Sequence, residues 1–180
     1  MLVRMWETAV PHGLGGRLCL GFVNSVEWRR GPAPVDRVAE FLAVIGRDVP
    51  TPPVLRRAIA LREALYPLFS AVCAGAAPDP SDVDVLERAL RAGSRHLALG
   101  ADLRLTWTGA DRLGWDVAAD AVALLDGPDR ARLKQCPGET CGWLFLDGSR
   151  NASRQWCDSR MCGNRARARR HYHRHRAGGG

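Results

Sequence analysis

Four of the chain's six cysteines fall into two copies of one pattern: Cys136 and Cys141 in KQCPGETCGWLFLD, then Cys157 and Cys162 in QWCDSRMCGNRARA. Each copy reads Cys, four residues, Cys, Gly, and fifteen residues separate the pairs. Thiolates at that spacing suit one structural zinc, a borderline-soft ion that takes four sulfurs tetrahedrally, two from each tight turn. The glycine after each pair fits the same chemistry, because a positive φ there lets backbone N–H groups face anionic sulfur. Two reversible disulfides are the alternative use of these residues. A catalytic metal would need an open coordination position, which four cysteines do not leave.

The other chemically able residues are scattered. His12 and His96 have no second ligand at metal-binding spacing, and Cys19 and Cys73 sit inside apolar runs, as core cysteines do. Trp6, Trp28, Trp107 and Trp115 read as core or interface residues, and PHGLGG lacks the Lys and Ser or Thr of a phosphate loop. Residues 1–130 hold no catalytic constellation, so the protein is expected not to be an enzyme.

Charge is concentrated at the other end. The formal net charge is +7, but residues 150–180 hold nine Arg against Asp158, a net +8, so residues 1–149 sum to −1. Lys134 is the one lysine beside twenty-five arginines. GC-rich codon usage accounts for Arg over Lys but not for the clustering; a solvated, disordered tail is the plain alternative. Placed on a helix, residues 160–176 bring Arg160, Arg167, Arg170 and Arg174 together with His171 nearby. Arg165, Arg169 and Arg176 form a second cluster, and Met161, Ala168 and Tyr172 lie between. Such a rod suits the major groove of a duplex or its phosphate walls. The candidate nucleic-acid contacts are Asn164, Arg165, Arg167, Arg169, Arg170 and Arg174, with Asn164 either reaching adenine or bracing the turn that holds Cys162. His171, His173 and His175 are phosphate neighbours or surface residues, or else a second metal site.

These groups must be positioned by a body and a small appendage. At 180 residues and 46% hydrophobic, the chain suffices for one ordinary core plus one small unit. The expected division is a body over 1–130, a finger over 131–176 and a flexible tail over 177–180. GGRLCLGFVNSVEW is a buried strand leading into a helix, or simply a helix; periodicity does not separate them. PVDRVAEFLAVIG is a helix burying Val35, Val38, Phe41, Leu42 and Ile45 and stopped by Gly46. TPPVLRRAIALREALYPLFSAVCAG is a longer helix capped by Thr51, with Leu55, Ile59, Leu65, Leu68 and Val72 inward and Pro67 as a kink. DPSDVDVLERALRAG starts a helix at Ser81 or Asp82, RHLALGADLRLTWTG is a hairpin, and DRLGWDVAADAVALLDG is the last core helix. In the finger, knuckle, strand 143–146, turn 147–151 and a helix carrying the last ligands follow the order of a treble clef. The fold class is therefore α+β: a mainly helical N-terminal domain with a small hairpin or sheet, then a treble-clef-like zinc finger.

No run of eighteen apolar residues occurs, and MLVRMWETAVPHG lacks a signal peptide's apolar stretch, so a cytoplasmic, non-membrane protein is expected. In that reducing compartment close cysteine pairs point to metal or redox chemistry rather than a disulfide framework.

CGWLFLDGSRNASRQWCDSRMCGNRARARRHY, with Cys162, Gly163, Asn164 and Arg165 in sequence, resembles the finger of the bacterial CGNR zinc-finger proteins nearly throughout, and LCLGFVNS resembles the opening of their N-terminal ABATE domain. The chain departs from the pattern at Gly21, where members often carry Asp, and at Ser25, where they carry Thr. The resemblance implies a stress-associated transcription regulator with an ABATE domain of α+β fold and a treble-clef-like finger. Double-stranded DNA is then the expected partner, zinc the cofactor, and residues 1–130 a dimerising or ligand-sensing body that takes a small-molecule effector and forms a homodimer. The alternative is an RNA- or ribosome-associated binder using the same helix without sequence readout.

Overall fold

LCLGFV, undecided between strand and helix in the sequence, is helix α1 (Leu18–Val23) in the computed structural model, which describes residues 15–109 and 112–177. All six of its residues are buried, so it lacks the polar positions from which a helical period is read. Its first turn is satisfied from a distance: Asp120 accepts from the Cys19 amide at 2.9 Å and from Arg17 Nε at 2.9 Å. That places a carboxylate at the positive end of the helix.

Helices α2 (Val38–Val44), α3 (Pro52–Cys73) and α5 (Leu113–Asp126) pack on α1, and α4 (Pro80–Ser94) closes against α3 and α5. Gly46 ends α2 as its position implies, with φ +67° and the Arg47 amide bonded back to Leu42 O at 2.9 Å. Val35 does not join α2. It lies in a two-residue strand β2 (Val35–Asp36) paired antiparallel with β1 (Val26–Glu27), and it is exposed. Prolines 52 and 53 fill the first turn of α3, but Thr51 makes no side-chain cap. The buried face of α3 is Ala58, Leu61, Leu65, Leu68 and Phe69, while Leu55 and Ile59 are only half-buried. The cap of α4 is Asp79, which accepts from the Ser81 amide at 2.8 Å, rather than Ser81 or Asp82; Pro80 at the first helical position moves the start forward. The hairpin of β3 (Leu97–Leu99) and β4 (Leu105–Trp107) pairs Leu97 with Trp107, as the sequence suggests.

A 3₁₀ turn (Pro128–Arg132) leads into β5 (Leu133–Gln135), which pairs antiparallel with β6 (Leu144–Leu146). Leu133 and Leu144 enter the same buried cluster as Leu20, Phe22, Leu65 and Leu124, so the hairpin completes the core of the body instead of standing apart. Asn24 clasps it: its Nδ2 donates to Leu144 O at 2.7 Å and its Oδ1 accepts from the Leu144 amide at 2.9 Å. Gly15, at φ +103°, allows this approach, since a Cβ there would lie 2.9 Å from Leu20 Cβ and 3.0 Å from Leu144 O. The described chain ends in helix α6 (Asn164–Ala177). Among the described residues no helix is long and apolar enough to cross a membrane. Trp6, His12 and the end of the tail, 178–180, lie outside the described residues.

Candidate metal centre and basic helix

Strands β5 and β6 are the arms of the first knuckle. Cys136 directly follows β5, its amide donating to Trp143 O at 2.7 Å, and the Cys141 amide closes the loop on Gly138 O at 3.0 Å. The strand after the knuckle therefore pairs back onto β5, and 147–158 is irregular. Cys157 comes from that irregular segment, and Cys162 from a π-type turn (Ser159–Gly163) that runs into α6. Asp158 caps the turn, accepting from the Arg160 amide at 2.6 Å and the Met161 amide at 3.0 Å.

These turns bring the four sulfurs within 4.8 Å of one another, with Cys141 to Cys157 at 3.6 Å and Cys157 to Cys162 at 3.7 Å. A tetrahedral ion with metal–sulfur bonds of about 2.3 Å sets its sulfurs about 3.8 Å apart. Disulfide sulfurs would be about 2.05 Å apart, and all four cysteines are free thiols. The cluster is a metal-binding site with the donor set and spacing of a closed tetrahedron. Amides are aimed at the sulfurs, from Gly138 and Cys157 to Cys136 and from Trp143 to Cys141. Gly142 supplies the positive φ, +71°, that turns the Trp143 amide inward, and a Cβ there would strike Tyr66 Oη. Gly163 differs: it has no positive φ and instead lies against the Trp156 ring.

Crowding makes the thiols unequal. Hydrogen bonds from Cys141 and Cys157 hold the Cys136 thiol down to about 2. The same contact with Cys136 pushes Cys141 up to about 12 and Cys157 higher still, and burial raises Cys162.

The loop 147–158 is organised by residues that spacing does not reveal. Asp147 is fully buried and accepts from Lys134 Nζ at 2.6 Å, the Ser149 hydroxyl at 2.5 Å and the Ser149 and Arg154 amides at 2.9 Å each. Burial alone would raise its carboxyl; Lys134 and Ser149 outweigh that and hold it well below the usual range. Lys134 also donates to Ala152 O and Arg154 O. Arg154 lies over the Phe145 ring at 4.6 Å and donates to Trp156 O at 2.9 Å and to Cys157 O, which fixes the backbone that carries the third sulfur. The one lysine in a chain of arginines was the available signal.

From the turn, α6 projects with its described side chains exposed, apart from half-buried Ala166. Arg167, Arg170, His171 and Arg174 border one face. Arg165 instead stacks on Trp28 of the body, 4.3 Å from the ring centre, and Arg169 pairs with Glu139 of the first knuckle. Asn164 Oδ1 accepts from the Arg167 guanidinium, which also reaches Ser159 O at 3.4 Å. His173, His175 and Arg176 have no described side chains.

Residues 16–128 match the family described as "Putative stress-induced transcription regulator", ABATE, and residues 132–175 match "CGNR zinc finger". The chain belongs to the ABATE family. No curated protein matches it. In this ABATE protein the opening motif does structural work. Asn24 holds the CGNR finger, and the Ser25 hydroxyl donates to Phe22 O at 2.7 Å and accepts from buried Arg62 at 3.0 Å. Cys19 is fully buried and its thiol pushed well up by burial, and Cys73 is raised to about 11 by burial too, which suits packing rather than redox chemistry.

Proposed function

We propose that this ABATE protein is a sequence-specific duplex-DNA-binding regulator whose CGNR finger holds one zinc on Cys136, Cys141, Cys157 and Cys162 and presents α6 to the major groove. The observation that carries the reading is the helix itself, which starts at the ligand turn, has its described side chains exposed apart from half-buried Ala166, and bears Arg167, Arg170 and Arg174 on one face. Zinc supplies charge and geometry here and no open coordination site, so its role is structural. Arg170 and Arg174, in no ion pair among the described residues, are the outward donors to phosphate or guanine. Arg165, held over the Trp28 ring, keeps N–H groups for phosphate, and Arg169 exchanges Glu139 for phosphate when DNA arrives. Asn164 braces the start of the helix. One finger reads few base pairs, so the working form in this reading is a homodimer on a palindromic site.

Selection from a random duplex library with the zinc-loaded chain, under excess nonspecific duplex, tests the proposal. An enriched motif that survives competition is expected. Recovery of unrelated sequences, or tighter binding to single-stranded RNA than to any selected duplex, overturns it.

A further inference from the structure

Trp28 holds a backbone conformation that its side chain makes costly. It lies in the turn after β1 with φ +55°, in the left-handed region that a bulky residue seldom enters. Glycine takes such a turn without strain; an indole there points to a use for the side chain.

The turn itself is fastened without the ring. The Gly31 amide donates to Trp28 O at 2.6 Å, the Arg30 amide to Thr140 O at 3.2 Å and Trp143 Nε1 to Val26 O at 3.1 Å, while Arg30 Nη2 donates to Gln135 Oε1 at 2.5 Å. Residues 26–31 of the body therefore lie along the first knuckle, and none of these bonds uses the Trp28 ring. The ring stays 37% exposed and carries the Arg165 guanidinium 4.3 Å from its centre. That is within the range of a cation–π contact, for which tryptophan is the best partner.

Arg165 is the second residue of α6, so the contact grips the helix where its direction is set. The ligand turn before it, Ser159–Gly163, fixes where α6 starts. One point of attachment does not fix where a fourteen-residue rod points. Arg169, four residues on and on the same side, pairs with Glu139 of the first knuckle, but both partners of that pair are exposed, and exposed ion pairs hold weakly. The Trp28 contact ties the helix to the body rather than to its own finger.

We propose that Trp28 is a positioning residue for α6: its ring holds Arg165 and so sets the direction in which the helix presents Arg167, Arg170 and Arg174. The consequence for DNA rests on the reading above, in which that face enters a groove; the grip of Trp28 on the helix does not.

Residual dipolar couplings of backbone amides in the zinc-loaded full chain, measured without nucleic acid, test the grip directly. In the wild-type chain the α6 couplings are expected to fit the same alignment as those of α1, α3 and α5. In Trp28→Leu they should shrink or fit another direction, while those of β5 and β6 stay. Trp28→Phe keeps a ring under the guanidinium and should restore the wild-type values. Arg165→Ala, on an exposed side chain, should act like Trp28→Leu, and the two together no more than either alone, which a general loss of stability does not reproduce. Affinity for a mixed-sequence duplex at low salt should fall about tenfold in Trp28→Leu, the size of one partly desolvated cation–π contact, with zinc content unchanged by metal analysis. The proposal is overturned by α6 couplings that Trp28→Leu and Arg165→Ala leave unchanged, by Trp28→Phe disturbing them as much as leucine does, or by duplex affinity that Trp28→Leu leaves at the wild-type value. Couplings that respond as expected in a chain that binds no duplex support the positioning role and remove the DNA-binding reading instead.

Discussion

Four thiols within 4.8 Å of one another cannot all ionise without a cation, and this dictates how the metal centre answers to pH. Crowding holds the Cys136 thiol down and pushes Cys141, Cys157 and Cys162 up, so zinc must displace protons from the raised thiols. Protons and zinc compete for the same sulfurs; affinity falls as pH falls and rises as it rises. Calorimetry at neutral pH in buffers of different ionisation enthalpy should show protons released as zinc binds, and release near zero would refute this competition. Cys141→Ser and Cys162→Ser should each lose zinc by metal analysis; full retention in both removes the assignment. Arg154 is the positioning residue to test next. Its contacts to Phe145, Trp156 O and Cys157 O need a planar fork, so Arg154→Lys should behave like Arg154→Ala. Both should lower zinc affinity by roughly 10- to 100-fold in a chelator competition, and full rescue by lysine would show that charge alone matters.

Helix α6, fourteen residues long, spans about 21 Å, enough to lie along a major groove. Its faces were legible because helical spacing fixes which arginines stand together, and Arg167, Arg170 and Arg174 do share one. Which arginines turn back onto the protein was not legible, since Trp28 and Glu139 reach Arg165 and Arg169 only through the fold. Contact with about three to five phosphates predicts a slope of about −3 to −5 in log K against log salt. Arg170→Ala and Arg174→Ala should each reduce its steepness by about one. An unchanged slope in both variants would move the binding face elsewhere.

For the molecule as a whole, the decisive feature is that the finger's hairpin belongs to the core of the body. Removing zinc should therefore loosen the loop and helix beyond β6 while β5 and β6 keep their hydrogen-exchange protection, because Leu133 and Leu144 stay buried with α1 and α3. Loss of protection throughout 131–176 on chelation would contradict this. Asn24→Ala removes both clasping bonds and leaves the Leu144 amide and carbonyl unpaired, an expected cost of about 2–4 kcal/mol in denaturant unfolding; a loss under about 0.5 kcal/mol, the ordinary surface level, would show that the clasp is not what joins the two parts. The homodimer is checked by light scattering coupled to size exclusion. A monomeric mass that persists with bound DNA, together with a non-palindromic selected site, rules it out.

What the sequence determined is what repeats or runs locally: the twin Cys-x4-Cys-Gly pattern, the basic helix that follows it, the β3–β4 hairpin and the long amphipathic helices. Each is a short-range pattern that type and spacing suffice to specify. Only tertiary structure decided the rest. LCLGFV became a helix because it is buried on all sides, Val35 left α2 to pair with β1, and Asp147 with Lys134 became the centre of a loop whose members touch only once it is closed. Asn24 meets Leu144 across 120 residues, and the Trp107 and Trp115 rings, from β4 and α5, lie 6.3 Å apart. Contacts of that kind are set by packing and leave no period or spacing to read.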